Sequence, residues 1–364
     1  MTAESGRRAE LGLATLPPSA GPVLDAVGRR ARGVDQCEVD LWDSLRELGE
    51  HGLLAAPLPL AIELVHALAR RCTASAFSLW GHRSALEYHE ATASELPAGV
   101  REGTVALASG MAAAFKEEAG LGEIPLVAAD RPGGAIEVSG TLPWCSNLRS
   151  GGWVIAPVRW EDGRRAVVRV ERDAAGVTVV PLLGLTALDG TSSGVLRLDR
   201  TLIAGRDVLT EDLATFRNRV RAPFLLLQTA MCLGLAGAAL DAAEGGADAA
   251  SRRVFAEEAR EMAEGWETLR SALESGAQAS PSVPARELVS ARLDAALLAG
   301  RATRLEQKVV GGRGYALGSD TSRRAREAAF LPVQSPTETH LRHLLAGAGA
   351  PQGPSRPTDG EATP

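Results

Sequence analysis

At 364 residues, with 45% hydrophobic and 23% charged residues, the chain is long enough to bury a large core and has the composition of a globular protein. Its net charge of −6 excludes a surface built for nucleic acid, which needs clustered lysine and arginine. The only lysines are Lys116 and Lys308, and the arginines are scattered among acids.

Residues 1–20 lack the apolar core of a signal peptide and are expected to be disordered. The four cysteines, Cys37, Cys72, Cys145 and Cys232, lie far apart, with no CxxC pair and no histidine at metal spacing. A disulfide framework or a metal site is therefore not expected, and a reducing cytoplasm fits. From 21 to 102 the pattern is helical. Between Asp35 and Glu50, Val39, Trp42, Leu45 and Leu48 recur at intervals of three, the spacing of one helix face, with Gly52 as a stop. A second run, Ala61 to Arg71, sets Ile62, Val65, Leu68 and Ala69 on one side. A third, Ala74 to Ala93, contains Trp80, His82, Tyr88 and His89. His82 and His89 are candidates to line a pocket, although a packed or solvent-facing histidine is commoner.

From 103 to 205 the pattern becomes strand-like. Trp153 to Trp160, Ala166 to Val170, Val177 to Leu183 and Val195 to Leu198 are rich in Val and Leu and are separated by turn residues. Helical periodicity returns over 206–346. Ala222 to Leu240 carries no charge and is long enough to cross a bilayer. Pro223, Gln228, Thr229 and the small residues Gly234, Ala236 and Gly237 argue instead for a buried core helix. Further helices are expected over Arg252 to Leu273, over Ala285 to Val310, and after Pro336. The tail, 347–364, is rich in Gly and Pro and is expected to be disordered. The class is α+β and mainly α, with helices on either side of a small β domain.

Three late stretches stand in a telling order: Val310-Gly311-Gly312-Arg313-Gly314-Tyr315, then Arg323-Arg324-Ala325-Arg326-Glu327-Ala328, then Pro336-Thr337-Glu338-Thr339-His340. This order and spacing resembles the C-terminal signature of the acyl-CoA dehydrogenase superfamily. Gly140-Thr141-Leu142-Pro143-Trp144-Cys145-Ser146-Asn147 resembles that family's flavin-facing segment. The resemblance covers nearly the whole chain. It implies an N-terminal helical domain, a middle β-barrel or sheet domain and a C-terminal four-helix bundle, with FAD (or FMN) as cofactor. It also implies a homo- or hetero-oligomer, a dimer or tetramer, because flavin sites in the family are shared between subunits.

The resemblance further implies residue roles. Trp144 packs on the isoalloxazine and Ser146 bonds near flavin N5. A flat aromatic suits a flat ring, and a hydroxyl suits a nitrogen whose charge changes on reduction. Gly311, Gly312 and Gly314 bring backbone close to the adenylate half across a subunit interface. Thr337 and Thr339 touch the cofactor, and Arg252, beside Phe255, meets the pyrophosphate. Taken without the family, Trp144 reads as a buried tryptophan before a polar turn. The glycine turn then reads as a joint between helices, with solvated arginines after it.

The departures carry as much information. In most members a glutamate two residues before the loop threonine removes the substrate's α-proton, a task that suits a carboxylate with a tunable pKa. Ser335 occupies that position here, and a serine without a partner base cannot take the proton. Other members draw the glutamate from the first long C-terminal helix, where this chain aligns Phe224, flanked by Leu225 and Arg221. Glu338 is the nearest acid and the remaining candidate, though the start of a helix explains it equally. His340 and His343 are expected on the surface of the last helix. The family's flavin loop is eroded around Ser109, and Lys308 stands where a cofactor-binding glutamine is usual, with Gln307 beside it.

Three readings follow. The first is a flavin-dependent oxidoreductase acting on an acyl thioester or related small molecule by hydride transfer, with acyl-CoA as the family's substrate. It would need an electron-transfer partner or a flavin reductase. The second is a non-catalytic partner subunit of a hetero-oligomeric dehydrogenase. The third is a flavin-dependent monooxygenase of the same fold, which Ser335-Pro336 favours and Gln334, where such enzymes often carry a histidine, does not. None involves a metal, nucleic acid or a membrane span.

Overall fold

The computed structural model describes residue 8, residues 10–246 and residues 248–347. The tail expected to be disordered lies, from 348 on, outside the described residues.

The N-terminal helices are α1 (Ala20–Asp35), α2 (Trp42–Glu50), α3 (Leu58–Ala69) and α4 (Thr73–Thr92). The helix expected from Asp35 to Glu50 is shorter than its apolar spacing suggested. The chain turns at Cys37, whose φ is 57°, and the Gly33 carbonyl accepts the N–H groups of Glu38 (2.8 Å) and Val39 (3.2 Å). That bond pattern ends α1 as a left-handed cap does, so Val39 belongs to the turn. The described part of 1–20 is also not loose. Leu11 is buried, and the buried carboxylate of Glu63 on α3 accepts the N–H groups of Leu11 (3.0 Å) and Leu13 (2.6 Å). A carboxylate taken out of water needs donors, and this backbone supplies them. Arg8 adds an ion pair to Asp241 at 2.8 Å.

The middle region contains β1 (Leu107–Ser109), α5 (Ala112–Glu118), β2 (Val127–Asp130), β3 (Ile136–Cys145), β4 (Trp153–Arg159), β5 (Arg165–Glu171), β6 (Val177–Pro181), β7 (Gly194–Ile203) and β8 (Val208–Thr210). They form one sheet in the order β6-β7-β3-β2-β4-β5-β8, with β1 added parallel to β4. Leu126, Val138, Val154, Ala156, Val158, Val168 and Leu196 fill a core separate from that of the helices. Sequence periodicity locates β4 to β7. It misses β1, β2 and β8, which are three or four residues long, and β3, which Gly140 and Pro143 disguise. Gly140 is required there: its φ is 141°, and a Cβ would lie 2.3 Å from the Pro125 carbonyl oxygen.

The C-terminal helices are α6 (Leu213–Gly246), α7 (Ala249–Val254), α8 (Ala256–Ala279), α9 (Ala285–Val310), α10 (Asp320–Phe330) and α11 (Glu338–Gly347). The stretch expected as one helix from Arg252 to Leu273 is two, α7 and α8, meeting at Phe255. α6 runs through the centre, packed by α3, α4, α8 and α9. It is apolar and long enough to cross a membrane, but its most apolar stretch is wholly buried in the protein. Gly234 makes this possible, since a Cβ there would meet the His66 carbonyl oxygen of α3 at 2.4 Å.

Candidate functional site

β3 delivers the first group of candidate residues. Leu142 and Cys145 face the sheet core, while Trp144 projects outward with 65% of its surface exposed. The Cys145 thiol lies 3.6 Å from the Ser109 carbonyl oxygen, and burial pushes its pKa up to about 12, so it stays a thiol. The strand ends in a turn at Asn147, whose φ is 61°. Asn147 Nδ2 donates to the carbonyls of Ser78 on α4 (2.9 Å) and Leu107 (3.3 Å). Gly81 lets it approach, because a Cβ there would sit 3.1 Å from that nitrogen.

Ser146 is thereby held between the exposed indole and the anchored amide. Its Oγ lies 2.7 Å from Ser193 Oγ, which lies 2.8 Å from Thr191 Oγ1, which donates to the Leu188 carbonyl at 2.7 Å. Backbone bonds from Asn147 to Thr191 and from Leu148 to Ser192, both 3.0 Å, fasten the two segments. Leu188 and Ser192, like Asn147, have left-handed backbone, with φ of 63° and 50°.

The second group lies at the far end of α9. Gly311 (φ 68°) and Gly312 are exposed, and Tyr315 and Leu317 stand out into solvent. Gly314 is buried, with no room for a Cβ between Val310 and Thr321. Lys308 pairs with Glu258 at 2.7 Å and lies over the Phe255 ring at 5.6 Å. Phe255, Lys308 and the glycine turn thus share one end of the bundle, with Arg252 and Arg253 exposed nearby in the chain. No hydrogen bond among the described residues joins this group to Trp144 and Ser146.

The arginine motif on α10 is not solvated. Arg323 pairs with Glu327 (2.9 Å), which also accepts from the Thr73 hydroxyl (2.8 Å). Arg324 grips the fully buried Glu306 through two nitrogens (2.8 and 2.5 Å), and Thr321 donates to the same carboxylate (2.6 Å). Arg326 reaches Asp35 on α1 (2.8 and 2.5 Å) and the Thr186 carbonyl (3.1 Å). Arg324 and Arg326 tie α10 to α9 and α1, while Arg323 holds Glu327 of the same helix, whose carboxylate reaches Thr73 of α4.

The loop before α11, residues 331–337, contains no acid. Ser335 Oγ is buried and has no partner, while its carbonyl accepts from Gln228 at 2.8 Å. Beneath it the fully buried Arg292 of α9 donates to Gln228 (3.0 Å), Gln334 (3.0 Å) and the Leu331 carbonyl (3.4 Å). All three acceptors are neutral. Glu338 begins α11 and is held by Arg342 at 2.8 Å. Thr337 Oγ1 caps the same helix by accepting the His340 N–H (3.3 Å), and Thr339 is exposed.

His340 is not on the surface as expected: it is 2% exposed, and burial holds its imidazole below the usual range. With Phe115, Glu118, Arg221, Phe224 and Pro336 it lines a cavity of about 20 Å³, room for one water. Glu118, the carboxylate there, is paired with Arg221 at 2.6 Å. Sequence reasoning missed His340 because α5, which covers it, lies far back in the chain. His343 is on the surface, with Nε2 3.1 Å from the Ala119 carbonyl. Beside this cavity runs a chain of rings: Phe330 to Phe77 (5.1 Å), Phe77 to Trp80 (5.2 Å), Trp80 to Phe224 (5.1 Å) and Phe224 to Phe115 (5.2 Å). Phe224 occupies this packed row where an acid would stand in some members.

The remaining candidates are structural. His82 accepts the Leu107 N–H (3.1 Å) and donates to the Val100 carbonyl (3.1 Å), and burial lowers its pKa to about 4. His89 is likewise packed against Ser94. Ser109 is engaged with the Tyr88 hydroxyl at 3.0 Å.

The residues present fit one half of a flavin better than the other. An exposed indole beside a half-buried hydroxyl suits the isoalloxazine, whose flat face and polar edge need those groups. At the phosphate end Lys308 is closed on Glu258 and the α10 arginines are all paired, leaving Arg252, Arg253 and, in the glycine turn, Arg313 exposed.

No family model matches the sequence, and no curated protein matches it. Solved structures do match. Butyryl-CoA dehydrogenase from Megasphaera elsdenii superposes with a TM-score of 0.81 at 17% identity, covering 96% of this chain and 98% of that one. Glutaryl-CoA dehydrogenase from Mycobacterium smegmatis gives 0.78 at 15% identity, covering 92% and 95%. A KijD3 solved in complex with FMN and a dTDP-linked sugar gives 0.73 at 18% identity, covering 93% and 96%. At such identities the likeness establishes the fold.

Proposed function

We propose, from the premise that this chain has the acyl-CoA dehydrogenase fold, that it is a flavin-dependent oxidoreductase acting on a small molecule without a carboxylate base. The observation that carries this reading is Trp144, an indole left 65% exposed beside the hydroxyl chain that begins at Ser146. A flavin bound there would supply hydride-transfer chemistry. Trp144 would cover the ring and Ser146 would meet its edge. Gly311, Gly312, Gly314, Thr337, Thr339, Arg252 and Phe255 are the residues proposed to hold the rest of the cofactor, FAD or FMN. The weaker phosphate end of the site favours the shorter FMN. A long acyl chain is disfavoured as substrate, because the row from Phe330 to Phe115 fills the space beside the loop. The lack of an acid at Ser335 suits oxygen chemistry with an external flavin reductase at least as well as dehydrogenation of a thioester.

The test is the visible absorption spectrum of the protein purified alone, with flavin quantified after denaturation. The expected result is close to one flavin per protomer, bound on purification or after reconstitution. No flavin after incubation with FAD and with FMN would sink the autonomous reading. A second reading, a partner subunit that completes another chain's site, draws support from the closed Lys308–Glu258 pair and the exposed Tyr315 and Leu317. It predicts that flavin appears only on co-expression with a base-bearing homologue.

A further inference from the structure

We propose that Ser146 offers only lone pairs to a ring lying on Trp144, so that the site selects reduced flavin, which carries an N–H at N5, over oxidised flavin, which does not. The proposal rests on the flavin reading above and on the order of donors in the hydroxyl chain. A hydroxyl has one proton to give. The Leu188 carbonyl can only accept, so Thr191 spends its proton there, at 2.7 Å. Ser193 must then donate to Thr191, at 2.8 Å. Having given its own proton, Ser193 can only accept from Ser146, at 2.7 Å. The Ser146 proton therefore points inward, and what Oγ has left to offer a ligand is a lone pair.

Burial protects this order. Thr191 and Ser193 are enclosed, so water does not compete for their protons, while Ser146 is half-buried. The backbone that carries the chain is costly: Asn147, Leu188 and Ser192 all have positive φ, and none is glycine. Such conformations persist where the surroundings over-determine them, which here means the chain and its flanking backbone bonds. Facing this acceptor, N5 of an oxidised ring sets lone pair against lone pair. The N–H of a reduced ring makes a hydrogen bond. Thr191 acts through Ser193 and is a positioning residue, and Ser146 is the group that discriminates.

The test is equilibrium binding of oxidised and of dithionite-reduced FMN and FAD to the full chain under anaerobic conditions, together with the midpoint potential of the bound flavin. The expected result is reduced flavin bound at least about tenfold more tightly, the equivalent of about 30 mV in a two-electron potential. Thr191→Val keeps the side chain's size but frees Ser193 to turn and donate to Ser146. The preference should then fall toward equality while the variant still binds flavin. Ser146→Ala should also lose the preference. Equal or tighter binding of the oxidised form by the unmodified protein would overturn the proposal. So would a Thr191→Val variant that binds both forms more weakly but in the original ratio. Failure to bind either flavin in either state would instead sink the flavin reading, and this inference with it.

Discussion

Arg323, Arg324 and Arg326 each end on a carboxylate, whereas Trp144, in the other motif that stands out in the sequence, ends on nothing. The difference lies in what each element buries. α10 lies against Glu306 and Asp35 and buries its own Glu327, and carboxylates taken out of water demand cations. The arginines that look ready for a phosphate are used to hold helices together. The end of β3 buries Cys145 and Asn147, leaving Trp144 exposed before them and Ser146 half-buried between them. A charged cluster is thus a poorer guide to a ligand in this chain than an apolar ring with no protein against it.

Four measurements would break or sharpen that contrast. The largest effect is expected from Glu306→Ala, which leaves Arg324 and Thr321 without their shared partner inside the bundle. Denaturant unfolding should show a loss of about 3–5 kcal/mol, the usual cost of removing one side of a buried pair. Glu306→Gln, which still accepts from Thr321, should lose less. If Glu306→Ala were neutral for stability and costly for flavin binding, α10 would have to be reassigned to the ligand.

Acid should act next. His82 is neutral in the fold, with a pKa near 4 against an ordinary value of 6.5. The unfolded chain therefore takes up a proton first as pH falls. The contribution of His82 to stability is complete above about pH 6.5 and is lost progressively down to about pH 4. This single group accounts for about 3 kcal/mol over that range. His82→Gln should flatten the slope of stability against pH. An unchanged slope would remove His82 as its source. The site group on β3 has no such titrating member, so flavin affinity per folded molecule should stay level.

Trp144→Ala inverts the pattern. An exposed side chain contributes little to folding, so stability should move by less than about 0.5 kcal/mol. Flavin binding should weaken about tenfold, in line with the loss of one aromatic stack. A melting temperature that dropped with unchanged flavin binding would place Trp144 in a structural contact. The smallest effect belongs to Glu338→Gln. Its partial exposure and its pairing with Arg342 at i,i+4 make the pair worth about 0.3–0.5 kcal/mol. Turnover should be unchanged, and a hundredfold fall would restore Glu338 as the base.

Much of the helical part was legible. The spacing over Ala285 to Val310 matches α9 at both ends, and the uncharged run within α6 read as a core helix. What failed was local chemistry overruling period. Cys37 in a left-handed turn splits a helix that the spacing of Val39, Trp42, Leu45 and Leu48 unites. β3 carries a glycine because the Pro125 carbonyl crowds it, and a proline where its register shifts between Leu142 and Cys145. In the site, the absence of an acid at Ser335 was visible in the letters. The burial of His340 under α5, the closure of Lys308 on Glu258 and the hydroxyl chain through Ser193 and Thr191 were not. Each joins segments far apart in sequence, and no periodicity reports such a meeting.

α6 also sets a schedule for the making of the protein. When this helix leaves the ribosome, α3 and α4 already exist to receive part of its surface. The rest waits for α8 and α9, which are still to be translated. For that interval the nascent chain displays a stretch greasy enough to be mistaken for a membrane anchor. The charges close around it, with Arg217, Arg219 and Arg221 before the stretch and Asp241 and Glu244 after it, break the apolar run at both ends. A chain that stops short of Ala285 would lack α9 and leave uncovered the part of α6 that α9 packs, so the last third of the sequence acts as the escort for its own middle.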